Sequence, residues 1–218
     1  FGTATYSYQR RYMLSGTVRY EGTNKLGRST SARWLPTWNI SGAWNAHEEK
    51  FCQTLEPTLS NFTLKASYLL TADRGPADVS NSLVIIQSYN PWRPFTNVKE
   101  SGLLLKDVEN SALTYEKKHE LNIGAEIGFI DNRINFAIDW YKRDNYDLIG
   151  LVNSAGTGVK ITKFANVASM KSHGVELTLS TKNIRTKDFS WNTDFIFSHA
   201  KNEVTDLQSN ARVIEMIT

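Results

Sequence analysis

Apolar and polar residues alternate along this chain in runs longer than an ordinary soluble sheet requires, and this constrains the fold most. Phe62, Leu64, Ala66, Tyr68 and Leu70 alternate with Thr63, Lys65, Ser67 and Thr71. Leu121, Ile123, Ala125, Ile127 and Phe129 alternate with Asn122, Gly124, Glu126 and Gly128. The pattern recurs in 12–20, 34–44, 134–141, 175–180 and 189–198. A period of two puts successive side chains on opposite faces of a strand. The runs span about 9 to 17 residues, against the usual 5 or 6 of soluble sheets; about 9 to 11 suffice to cross a bilayer at a tilt. One face is therefore expected to meet lipid, through Leu64, Ile123, Ile138, Leu177 and Phe195. The other, with Lys65, Glu126, Asp139, Glu176 and Asp194, is expected to face a polar lumen.

The links point the same way. Gln9–Arg11, Ile130–Asn132 and 182–188 are short, whereas 21–33, 72–113, 146–163 and everything after Val204 are long; 45–57 is the exception. Alternating short and long links are the asymmetry of an outer-membrane barrel, with tight periplasmic turns and long external loops. Aromatic residues cluster near strand ends, among them Trp34, Trp44, Phe129, Trp140, Tyr141, Phe189 and Trp191. Such rings favour the membrane–water interfaces, although they also pack in any strand.

Composition narrows the alternatives. Net charge is +3, too small to argue for nucleic acid, and the single cysteine, Cys52, permits no internal disulfide. Mean hydropathy is negative and no run approaches a membrane helix. A hydropathy scan would read the chain as soluble, but barrel strands show lipid only every second residue. The chain opens and closes on strand pattern, so it reads as an interior portion of a longer protein.

Several blocks then carry a family resemblance. Arg33 to Trp44, with its Arg-Trp-Leu-Pro-Thr-Trp opening, Asn61 to Tyr68, Leu113 to Gly124 and Arg133 to Ile149 resemble consecutive barrel strands of SusC/RagA-type TonB-dependent transporters. The most specific stretch is Asn166-Val167, followed by Gly174-Val175-Glu176. The resemblance implies an all-β fold: an antiparallel transmembrane β-barrel of about 22 strands, of which residues 1–218 would supply about eight. It also implies that the plug domain and the C-terminal strands lie outside this chain. The implied function is outer-membrane import of glycans or peptides, with no bond chemistry. The implied partners are a SusD-like surface lipoprotein, the TonB complex acting through the plug, an oligosaccharide or peptide substrate, and membrane lipid.

No catalytic or cofactor constellation emerges. His47, His119, His173 and His199 have no metal-ligand spacing, and Glu48-Glu49 reads as a solvated pair in a periplasmic link. The segment 72–113 is long enough to be functional. Within it Tyr89, Asn90, Trp92, Arg93 and Phe95 combine stacking rings, an amide and a guanidinium, which suits sugar or peptide contact or the binding of a lid protein. A short strand at 83–86 is a further expectation there. Two other readings stay open: a secreted β-sandwich carbohydrate-binding module, and a small structural or adhesive outer-membrane barrel. A sandwich would be soluble without detergent.

Overall fold

A computed structural model describes residues 1–55, 58–75, 84–90, 101–107, 109–154 and 161–208. Four strands open the chain: β1 Gly2–Tyr8, β2 Tyr12–Gly22, β3 Trp34–Asn45 and β4 Leu59–Asp73. Two short strands, β5 Ile85–Tyr89 and β6 Gly102–Asp107, pair only with each other. Four long strands follow: β7 Glu116–Phe129, β8 Ile134–Ser154, β9 Ile161–Arg185 and β10 Ser190–Leu207. All except β5 and β6 form one antiparallel sheet in chain order, with β1 and β10 at its edges. An eight-stranded closed barrel would pair those edges, so the described strands form an open arc rather than a small complete barrel.

Register carries the sequence alternation across the whole sheet. Tyr12, Trp44, Leu64, Ala125, Ile138, Leu177 and Phe197 are successive cross-strand partners in one apolar row. The next residues over, Ala43, Lys65, Gly124, Asp139 and Glu176, form a row on the opposite face. The polar face is concave, lined by Thr5, Ser15, Ser41, Lys65, Asn122 and Asp139 among others.

Among the described residues nothing covers the apolar face except at Tyr12 and Trp44, where Glu49 of the link after β3 meets it. Ile123 is 49% exposed and Phe195 54%, and the described buried apolar residues include none of the residues of that apolar row. A β-sandwich would have to cover one face with a second sheet; the only other described sheet is the pair β5–β6. The sandwich reading is thereby excluded.

The upper limit of the apolar face drifts across the sheet. It stands at Phe197 on β10, Val175 on β9, Trp140 on β8, Leu121 on β7, Leu70 on β4 and Tyr20 on β2. Phe197 shares a row with Tyr12, so between β10 and β2 the limit climbs from the level of Tyr12 to that of Tyr20. That is about 27 Å along the strands over about 29 Å of interstrand spacing. A level apolar band thus requires strands inclined by roughly 40–45°, at the upper end of the tilt of transmembrane barrels.

The tight links behave as expected. Gln9 and Arg10 both take left-handed φ, closing β1–β2 with the Arg11 N–H donating to the Tyr8 carbonyl at 3.0 Å. Ile130, Asp131 and Asn132 are all left-handed, with φ of 52°, 55° and 55°. Asp and Asn tolerate this region, whereas branched Ile130 is strained by about 1–2 kcal/mol.

Two expectations change. The expected loop 146–163 is mostly strand, since β8 runs to Ser154 and β9 resumes at Ile161. The alternation fails there because register shifts flank Leu148, and Asp147 has a φ of 58°. Each bulge resets the parity of the side chains that follow it. The link 45–57 is also more ordered than its length suggests. It holds a 3-10 turn, Ala46–Glu48, and a short helix, Lys50–Gln53, with Ala46 and Cys52 buried. The expected strand at 83–86 exists as β5, beginning two residues later.

Candidate functional site

The concave face is an ion-paired wall. Lys65 on β4 lies 2.9 Å from Glu126 and 3.3 Å from Asp139. It reaches Asp139 across Gly124, where an added methyl group would fall about 2.5 Å from the lysine chain. Nearer the outer end, Arg143 donates two hydrogen bonds to Glu120, at 3.0 and 3.4 Å, and Lys118 lies 3.0 Å from the same carboxylate. The Arg143 guanidinium stacks 4.1 Å above the ring of Tyr141. Tyr141 is buried over Gly174, where a methyl group would come within 2.6 Å of the phenol oxygen. That contact explains the glycine of the Gly-Val-Glu stretch. Glu176, two residues on, pairs with Asp139 in register and so joins the same wall.

The outer ends of the strands are tied into a platform. Leu26 and Leu113 are fully buried with Tyr115 between the β2–β3 link and the segment before β7. The Gly27 N–H donates to the Leu113 carbonyl at 2.9 Å, and the Tyr115 hydroxyl donates to the Arg33 carbonyl at 3.1 Å. Burial raises the Tyr115 pKa, opposed in part by the Arg74 charge. Asn166 is the clamp. Its amide donates to the carbonyls of Thr114 (2.9 Å) and Asp147 (2.6 Å), and its oxygen accepts from the Thr114 N–H at 2.9 Å. One side chain thereby joins β9, the β8 bulge and the β4–β7 segment. Sequence reading singled out Asn166 without giving it a role, because these partners are distant in the chain.

At the end of the sheet that carries the short links, Glu49 is held rather than solvated. It accepts from the Tyr12 hydroxyl at 2.7 Å and lies 3.4 Å from Arg11. The Tyr12 hydrogen bond lowers the Glu49 pKa below the usual 4.5; the Arg11 charge acts the same way and partial burial opposes it.

Of the expected contact residues, Tyr89 closes β5 and Asn90 follows it, both exposed. Trp92, Arg93 and Phe95 lie outside the described residues. Among the described residues no three His, Cys, Asp or Glu side chains converge as a metal site.

These features coincide with known proteins. The family model described as TonB dependent receptor-like, beta-barrel matches residues 1–212. The TonB-dependent receptor SusC of Bacteroides thetaiotaomicron is 28% identical over 210 residues, covering 95% of this chain and 20% of SusC. TonB-dependent receptor P3 of Formosa agariphila is 26% identical over 210 residues, again 95% of this chain and 20% of the relative. The RagAB peptide importer in its closed-closed state shares the fold, with a TM-score of 0.81 at 22% identity over 96% of this chain and 22% of that one. The chain spans about a fifth of the length of the curated relatives it matches. This chain belongs to the TonB-dependent receptor-like β-barrel family and forms eight consecutive strands of such a barrel.

Proposed function

We propose that the whole protein imports oligomeric nutrients, glycans or peptides, across the Gram-negative outer membrane as a SusC-like transporter. The observation that carries this is the division of one tilted sheet into a bare apolar face and a concave, ion-paired polar face. Lipid outside and a hydrated conduit inside satisfy both faces together. Residues 1–218 are part of the barrel wall; the plug and the remaining strands belong to the rest of the protein. The plug carries the TonB contact, and a SusD-like surface lipoprotein closes the outer mouth. The chain's task is passage and binding rather than catalysis.

Loop parity puts the segment between β4 and β7 outside the cell. Tyr89, Asn90, Trp92, Arg93 and Phe95 there are the proposed contact residues for substrate or lid. The full-length transporter carrying Trp92→Ala and Arg93→Ala is the test, with surface expression monitored. Uptake or lid association should fall about tenfold, the scale of losing one or two buried contacts. Normal values for both at normal expression would overturn the site and leave the fold standing.

A further inference from the structure

Basic side chains on the two faces of the sheet are treated differently. On the concave face, Lys65, Lys118 and Arg143 are each paired with a carboxylate within 3.0 Å. On the outward face, just above the apolar limit at Trp140, Val175 and Phe197, stand Lys142, His173 and Lys201. They are direct cross-strand neighbours in one row. Like groups placed opposite each other across strands repel when charged, and among the described residues no carboxylate stands between them in that row. His199 lies between Phe197 and Lys201 on the same face, and Lys171 stands one row further out. All five are exposed. Among the described residues Lys171, Lys201, His173 and His199 make no ion pair or side-chain hydrogen bond. Lys142 has only a 3.9 Å contact with Asp144. The acids on this face, Asp144 and Glu203, lie one row beyond the Lys142–His173–Lys201 row. Moving outward from the lipid band, the basic row Lys142–His173–Lys201 comes first, and the mixed row Asp144–Lys171–Glu203, with Lys171 between the two carboxylates, comes second.

We infer that Lys142, His173 and Lys201, with Lys171 and His199 beside them, bind the phosphate groups of outer-leaflet lipid headgroups. This rests on the outer-membrane reading above. That reading makes this level the boundary between acyl chains and headgroups. Lysine stems lie along the apolar surface and carry their ammonium groups to the phosphates, while imidazole N–H groups donate to phosphate oxygens. The apolar rows below receive the acyl chains of the same lipid, so one molecule satisfies both halves of the surface. Each lysine near an anionic surface strengthens binding about fivefold.

The test uses the full-length transporter in neutral detergent, titrated with diphosphoryl lipid A and read by native mass spectrometry. The triple variant K142Q/K171Q/K201Q should bind on the order of a hundredfold more weakly. The arginine triple, K142R/K171R/K201R, should bind as the wild type does and so shows that the sites still fold. Dephosphorylated lipid A should bind the wild type as weakly as diphosphoryl lipid A binds the glutamine triple, and millimolar inorganic phosphate should not compete. Equal lipid A affinity in the wild type and the glutamine triple would overturn the inference, as would full competition by inorganic phosphate. Recovery of the wild-type protein outside the outer-membrane fraction would overturn the functional reading itself, a separate outcome.

Discussion

Ile138 and Asp139 are neighbours on β8, yet their surroundings have nothing in common. Ile138 joins a row of apolar side chains that, from Leu64 to Phe197, no other part of the described chain covers. Asp139 is pinned by Lys65 across Gly124. The outward face takes its stabilisation from a medium, and the inward face from specific partners. Substitutions should therefore fail differently on the two sides: by transfer cost outside, by lost pairing inside. The outward cost depends on depth in the membrane, whereas the inward cost depends on which partner is lost.

The largest expected effect is on the outward face. Ile138→Arg in the full-length protein should destabilise the membrane-inserted barrel by about 2–4 kcal/mol, and Thr178→Arg, in the adjacent inward row, by much less. Urea unfolding from lipid vesicles measures both. Equal losses would erase the distinction between the faces. A smaller loss is expected where pairing carries the structure. Asn166→Ala removes three hydrogen bonds and leaves the Thr114 N–H and carbonyl without their partner, at about 1–3 kcal/mol. It should increase protease cleavage in 109–115 before global unfolding, and unchanged cleavage would show that the platform stands without the clamp.

The smallest effect is at the link 45–57. The Glu49 pKa is lowered on folding, so its contribution is fully present above the unfolded value of 4.5 and is lost as pH falls through the lower folded value. The wild type should lose thermal stability below about pH 4.5 slightly more steeply than Glu49→Gln. Parallel pH profiles for the two proteins would remove Glu49 from the account.

The alternation of residues such as Leu64 and Lys65 was sufficient to identify strands, their two faces and the short turns at Gln9–Arg11 and Ile130–Asn132. Period two is a local property of the extended backbone, so a single segment displays it. The sequence also marked Asn166, Gly174 and Glu176, and it assigned Lys65, Glu126 and Asp139 to one face. Tertiary structure decided what those residues touch. The continuation of β8 and β9 through 146–163 was hidden because bulges beside Leu148 reset the parity that sequence reading relies on. The Asn166 clamp, the Tyr141–Gly174 contact and the capture of Glu49 by Tyr12 join residues 19 to 52 positions apart. Contacts over such separations depend on register and loop closure, which no local pattern encodes. The tilt of the apolar band likewise appears only once seven strands are aligned, because each strand alone shows where its own apolar run stops and not how that limit sits beside its neighbours'.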